Sequence, residues 1–236
     1  MEKIHSGIEG FDKLVYGGLP KGRSYLVAGE PGTGKSIFLL QFLLEGIKQG
    51  EKGIYISIDE KPEHIINDAF ELGWDLKPHL ENGQLQIIDV TSYFSTVKHE
   101  DGGGINIEDI VKDILGYVRK SNASRLAIDP IAPLIFSDYQ FPAVVEYIRS
   151  LVFAIEDNAE CTTLLTSYIP VGSDKVSSFG IEEFATSGII VLKLANLNKQ
   201  HIRTIGIRKM RGTRIDLTEY SFEILEKRGI ILRQPI

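Results

Sequence analysis

The sequence predicts an α/β fold: a mostly parallel sheet with helices on both faces and an antiparallel extension toward the C-terminus. Three observations predict it. Apolar runs of strand length alternate with helix-period segments over most of the chain. A glycine-rich octapeptide, Gly29-Glu30-Pro31-Gly32-Thr33-Gly34-Lys35-Ser36, joins the first such strand to the first long helix. Beyond Ile189 the alternation stops and strand follows strand.

Strands are expected near residues 24–28, 53–58, 85–89, 125–129, 162–167, 189–194 and 204–210. Residues 35–49 read as a helix that is apolar on nearly every side except the stripe Gln41, Glu45 and Lys48, so it should be largely buried. Pro62 in a first turn and Gly73 just past an end bracket a second helix. A third is marked by Ile107, Ile110, Val111, Ile114 and Val118 at helical spacing. Asn106 is its cap, Glu108 and Asp109 lie in its first turn, and Arg119 and Lys120 in its last. Pro142 opens a fourth, with Val144, Val145, Ile148, Leu151, Val152 and Ile155 on its core side. Two connections are long: 90–105, which holds Asp101-Gly102-Gly103-Gly104, and 168–187.

The octapeptide matches the G-x-x-x-x-G-K-[ST] phosphate loop, and its setting between strand and helix is the one that motif needs. Glycines let backbone N–H groups curl around phosphate oxygens, and a helix opening at Lys35 directs its positive end at them. Residues Gly32, Thr33, Gly34, Lys35, Ser36 and Ile37 are therefore the expected nucleotide contacts. Lys35 supplies a cation and the Ser36 hydroxyl a ligand for Mg2+.

Composition narrows the remaining choices. A chain of 236 residues, 43% hydrophobic and 25% charged, can bury a sizeable core, and it is expected to form one domain over residues 1–236. The longest apolar stretches fall short of a membrane span, and Met1-Glu2-Lys3-Ile4-His5 lacks a signal-peptide pattern. With a lone cysteine, Cys161, no internal disulfide can form, which suits a cytoplasmic protein. A net charge of -6 gives no overall attraction to polyanions, so nucleic-acid binding would need a local basic patch. The five histidines lack metal-ligand spacing.

Acids are expected around the loop. Leu126-Ala127-Ile128-Asp129 is an apolar strand ending in a carboxylate, which can hold Mg2+ or its waters opposite Ser36. Asp59-Glu60 follows another strand at the same edge of the sheet, where a carboxylate can orient and deprotonate an attacking water. Those two acids also suit the start of the helix beginning near Pro62. Lys209 and Arg211 lie two apart on a strand pattern, which sends them to one face together with Ile205 and Ile207. Near a nucleotide they would stabilise phosphoryl charge, but by spacing alone a solvated basic edge is the better reading.

The opening Ser6-Gly7-Ile8-Glu9-Gly10-Phe11-Asp12-Lys13-Leu14, then Gly17-Gly18-Leu19-Pro20-Lys21-Gly22, resembles the entry to RecA-superfamily ATPases of the KaiC and RadA branch. Asp59-Glu60-Lys61-Pro62-Glu63 is similar to the KaiC family's paired acids, and Gly180-Ile181-Glu182-Glu183-Phe184-Ala185 and Lys209-Met210-Arg211-Gly212-Thr213 to further KaiC-like motifs. The single-domain layout most resembles archaeal KaiC-like proteins, including those described as RadA paralogues. The resemblance implies a RecA-like P-loop core, ATP and Mg2+ as ligands, and self-assembly into a hexameric ring or filament with ATP at each subunit interface. It makes Glu60 the catalytic carboxylate and Asp59 its neighbour, and it implies that Lys209, Arg211 and Thr213 approach ATP from the adjacent subunit. One KaiC-like half is present instead of two, so no clock role is implied. Ser167-Tyr168 does not reproduce the asparagine-glutamine pair of recombinases, which argues against strand exchange.

The expectation is thus a slow ATPase that uses Lys35, Ser36, Asp129 and Glu60. Two other readings remain open. One is an ATP-dependent accessory of recombination and repair that binds single-stranded DNA or a recombinase through segments 131–141 and 168–183. These hold Lys175 as their one basic residue, with Tyr139, Tyr168 and Phe179 as candidate stacking groups. The other is a nucleotide-gated interaction module with negligible turnover.

Overall fold

The structure is a computed structural model that describes residues 1–90, 107–131, 141–158, 161–169, 175–197 and 200–236. The expected cap Asn106, the side chains of Ile107 and Ile110, the glycine-rich run 101–104 and Tyr139 lie outside the described residues.

Nine strands form one sheet, here numbered in chain order. They are β3 (Ser24–Gly29), β4 (Gly53–Ser57), β5 (Leu85–Asp89), β6 (Arg125–Asp129), β7 (Thr162–Tyr168), β8 (Gly188–Leu197), β9 (Gln200–Met210), β10 (Tyr220–Leu225) and β11 (Gly229–Pro235). Two short strands, β1 (Lys3–Ile4) and β2 (Leu19–Pro20), pair separately. The nine-stranded order is β11-β10-β9-β8-β3-β7-β6-β4-β5. From β8 to β5 neighbouring strands run parallel, whereas β8, β9, β10 and β11 are successively antiparallel. The expected parallel core and antiparallel extension are both present.

Every residue of β3 is buried, as its unbroken apolar run requires of a central strand covered on both sides. Its alternation divides the core in two. Leu26 and Ala28 face one cluster, where Val111, Ile114 and Val118 of helix α5 (Ile107–Ser121) and Val144, Ile148, Leu151, Val152 and Ile155 of α6 (Phe141–Asn158) pack. Tyr25 and Val27 face the other, built on α2 (Lys35–Lys48), with Phe11 of the short α1 (Phe11–Leu14) and Ile65 and Ala69 of α3 (Pro62–Glu71). Phe11 and Phe38 meet edge to face, centroids 5.5 Å apart, which fixes the N-terminal segment against α2. Among the described residues no helix is long and apolar enough to cross a membrane. Cys161 is buried, and burial pushes its thiol up to about 11.

Three features depart from the sequence reading. Strands β10 and β11 extend the sheet past the last strand expected, and α4 (Lys77–Glu81) and α7 (Glu182–Ala185) are short helices in segments read as connections. Gln41, part of the polar stripe on α2, is itself buried: its amide nitrogen donates to the Gly7, Arg228 and Ile230 carbonyls, and its oxygen accepts from Ile230 N–H. The β10–β11 turn covers it.

The third departure concerns β9. Ile189 pairs with Lys209 but Ile190 with Ile207, so Arg208 is an extra residue in a bulge. The bulge shifts the alternation by one. Met210, not Lys209, joins Ile205 and Ile207 in the second core, while Lys209 sits opposite Ile189 of the first. The expectation that Lys209 shares a face with Ile205 and Ile207 is therefore wrong, because strict period two cannot survive an inserted residue.

Where the β10–β11 turn meets α2, Gly229 has φ +70, and an added Cβ would run into Gln41 Oε1 and the Trp74 ring. Gly22 has a similar φ of +72 with nothing within 4 Å. Gly22→Ala should cost about 1 kcal/mol for the left-handed backbone alone, and Gly229→Ala about 3 kcal/mol or more. Urea unfolding of both variants checks this; equal losses would mean the close approach at Gly229 is unimportant.

Candidate functional site

The parallel strands end along one edge of the sheet, and the phosphate loop leaves β3 there. Gly29 approaches β8 so closely that a Cβ would lie 2.6 Å from the Leu192 carbonyl oxygen and 2.6 Å from Thr33 Oγ1. Thr33 is buried and donates its hydroxyl to the Glu30 carbonyl at 2.8 Å, holding the loop curled. The loop turns into α2 through Gly34, whose φ of +102 a side chain would strain, so the unpaired first-turn amides of α2 open onto the loop. Ile37 lines the same cleft one turn on.

Lys35 donates its ammonium to the Gly29 carbonyl at 2.8 Å and the Glu30 carbonyl at 3.0 Å, and it lies 4.8 Å from the centroid of the Tyr168 ring. Two of its three protons are thus engaged, leaving one for an anion. Burial lowers its pKa, and the Asp129 carboxylate opposes that shift.

Asp129 ends β6 beside the loop. Its Oδ2 accepts the Ser36 hydroxyl at 2.7 Å and the Tyr55 phenol at 2.5 Å, and its Oδ1 accepts Thr166 Oγ1. Three hydroxyls from α2, β4 and β7 therefore converge on one carboxylate. Burial first, and then the Asp129 carboxylate with a smaller contribution from Glu60, place the Tyr55 phenol well above its ordinary range, while the hydrogen bond with Ser36 opposes the shift.

Asp59 and Glu60 follow β4 into the same cleft, where Ser57 Oγ donates to the Glu60 carbonyl and pins the turn. Asp59 keeps contact with solvent, but partial loss of water around its carboxyl, and then the Asp129 charge, push its pKa up to about 6. Glu60 is also raised, by burial first and then by Asp68 and Asp129, with His64 opposing. The cleft has a volume of about 380 Å³ and holds Asp59, Glu60, Asp68 and Asp129 against the cations Lys35 and Arg203. It is negative in sum, which suits a divalent cation. A hydroxyl and a carboxylate 2.7 Å apart are hard oxygen donors of the kind Mg2+ takes. Among the described residues no cluster of three or more His, Cys, Asp or Glu could hold a metal alone, so such an ion would complete its shell with phosphate oxygens and water.

The structure brings together Gly32, Thr33, Gly34, Lys35, Ser36, Ile37, Asp59, Glu60 and Asp129. It does not bring Lys209, Arg211 or Thr213 to them. Lys209 is level with Ile189, hence with Leu26, three residues or about 10 Å before Gly29 along the strands. Its ammonium donates to the Glu183 and Thr186 carbonyls, each at 2.6 Å. Burial lowers its pKa, with Arg211 adding to the effect and Glu183 opposing it. Thr213 Oγ1 instead meets the Val15 carbonyl at 3.1 Å and Lys3 Nζ at 2.7 Å.

Sequence reading missed Arg203, whose Nε makes a long contact to the Gly32 carbonyl at 3.4 Å, and Ile224 of β10, which stands at the mouth of the cleft. No local pattern marks either residue, because both reach the loop through the hairpin register. Tyr55 carries a fainter signal: it stands two residues before Ser57, the partner of Asp129, and so on the same face. Of the segments considered for DNA, 132–140 and 170–174 lie outside the described residues.

Comparison with known proteins gives one consistent answer. The family profile described as "ATPase: KaiC" matches residues 4–235. The circadian clock oscillator protein KaiC of Parathermosynechococcus lividus is 35% identical over 94% of this chain, which spans 41% of that protein. The chain thus covers about two fifths of the length of the KaiC proteins it matches. The UPF0273 protein PH0284 of Pyrococcus horikoshii is 30% identical over 98% of this chain and 93% of its own length. The crystal structure of the KaiC-like protein PH0186 from Pyrococcus horikoshii OT3 superposes with a TM-score of 0.85 at 32% identity, covering 99% of both chains.

The raised pKa of Asp59 has a definite sign. Its folded value, about 6, lies above the ordinary aspartate value, so protonation favours the folded chain and stability is lost as pH rises through that window. Asp59→Asn should therefore resist urea better than the wild type at pH 7, and the advantage should vanish below about pH 4. Parallel urea titrations at the two pH values measure it; an advantage that grows on acidification would show that Asp59 is not repelled by Asp129.

Proposed function

The chain belongs to the KaiC family of ATPases, and on that premise we propose that it forms one domain that binds ATP with Mg2+ in the phosphate-loop cleft and hydrolyses it slowly. The observation that carries the reading is the 2.7 Å hydrogen bond between Ser36 Oγ and Asp129 Oδ2, which unites the loop and the acidic strand tip at one point.

The amides of Gly32, Thr33 and Gly34 wrap the phosphate oxygens, and Lys35 spends its remaining proton on them. Ser36 and Asp129 would hold Mg2+, which when bound neutralises charge across the terminal phosphate oxygens. Glu60 accepts a hydrogen bond from the attacking water and takes its proton, for which its raised pKa fits it better than an ordinary glutamate. Asp59 adds negative charge beside it and so favours a cation in the cleft. Arg203 offers its guanidinium from the same chain at the open side.

Lys209 and Arg211 complete the site from a second copy. Their distance from their own phosphate loop supports this, as does the exposed Phe184 on the α7 turn whose Glu183 carbonyl holds Lys209. A guanidinium supplied across an interface can raise the rate by orders of magnitude.

Lys35→Ala should abolish binding of Mg-ATP in calorimetry, whereas Glu60→Gln should bind it as the wild type does and lose turnover by about a hundredfold or more. Equal phosphate release by wild type and Glu60→Gln would discard the base assignment. Arg211→Ala and Glu60→Gln should each be inactive alone, yet their mixture should recover part of the activity, since some interfaces pair an intact Glu60 with an intact Arg211. Mixed assemblies that form and stay inactive would place Arg211 outside the neighbour's site.

A further inference from the structure

A second cleft is larger than the nucleotide cleft. It has a volume of about 540 Å³, within the range of small-molecule sites, and lies between the second half of α2, the segment joining α3 to α4, and the β10–β11 turn. Its apolar floor comes from Leu44 and Ile47, and one wall carries Trp74. That indole is anchored: Nε1 donates to the Lys227 carbonyl at 3.1 Å, and the ring edge packs on Gly229 so tightly that a Cβ there would lie 2.6 Å from Cζ2. Gln41, also in the floor, spends its amide on backbone groups of the surrounding segments, so polar recognition has to come from the rim.

The lining carries more cations than carboxylates. Lys48, Lys227 and Arg228 stand against Glu9 and Asp75, on a chain whose net charge is -6. Lys48 and Lys227 are only loosely paired, at 3.9 Å from Glu45 and 3.8 Å from Glu226, and both side chains are 75% exposed. Glu9 is already held by Arg228 at 2.6 Å, and Asp75 accepts the Lys77 N–H at 3.1 Å. The nucleotide cleft shows the reverse balance, two cations among four carboxylates. An anion with a flat apolar body therefore finds in this second cleft a fixed indole, an aliphatic floor and lysines with weak attachments.

We propose that this cleft is a second ligand site, separate from the nucleotide cleft, that takes small organic anions built on a planar ring, such as aromatic carboxylates. Trp74 is the chain's single tryptophan, so its fluorescence reads the site directly. The full chain, without nucleotide and at fixed ionic strength, is titrated with phthalate, with 4-hydroxybenzoate, and with uncharged benzyl alcohol. Saturable quenching by at least one of the two carboxylates is expected, with none by benzyl alcohol. In the double variant Lys48→Ala/Lys227→Ala, whose substitutions are on exposed side chains, the dissociation constant should rise about tenfold, corresponding to about 1.4 kcal/mol. Absence of a saturable response to both carboxylates, equal affinity for benzyl alcohol, or unchanged affinity in the double variant would each overturn the proposal. None of these outcomes depends on whether the phosphate loop binds ATP.

Discussion

One carboxylate ties the site to the fold. Asp129 receives hydroxyl hydrogen bonds from Ser36, Tyr55 and Thr166, that is, from the helix that follows the phosphate loop and from the strands on either side of its own. Hydrogen bonds to an ionised acceptor are stronger than neutral ones, and these converge where water is largely excluded. Removing the carboxylate would leave three hydroxyls without their acceptor, two of them on buried residues. Loop, helix and sheet edge are thereby held in register by the residue that is also the candidate support for a metal ion.

The same convergence explains the electrostatics. Asp59, Glu60 and Asp68 share a small cleft with Asp129, and the Asp129 charge appears among the causes that raise both Asp59 and Glu60. Like charges gathered in partial isolation from water are costly unless a cation joins them. Lys35 cannot relieve the cost alone, since it is turned toward the Gly29 and Glu30 carbonyls. That repulsion is relieved when a positively charged ligand enters, which turns an apparent flaw of the cleft into a source of affinity.

How much was legible in the sequence follows from how local each signal is. The phosphate loop, the acidic tip at Asp129 and the pair Asp59-Glu60 are contiguous motifs next to apolar runs, and each stands where those runs placed it. The parallel core was readable for the same reason, since β3 and β6 have no polar break. Period-two reasoning failed at Lys209 because a bulge at Arg208 depends on the partner strand and leaves no mark in composition. Arg203 and Ile224 escaped notice because they enter the cleft through antiparallel pairing of β8, β9 and β10, whose register no short segment encodes. Gln41 was legible as polar but not as buried, since the backbone groups that satisfy it come from the two ends of the chain.

Strand β9 carries Arg203 at the phosphate-loop end of the sheet and Lys209 near the other, six residues or roughly 20 Å apart on a strand paired along both edges for part of its length. A paired strand transmits displacement as a stiff beam does, with little slack to absorb a tilt. If Lys209 reaches into an adjoining copy, each beam spans two successive clefts, and a rotation seated at one is felt at the next without any hinge or moving lid. Neighbouring sites would then be mechanically in series, and the stiffness of a single hairpin would set how far one turnover biases the following one.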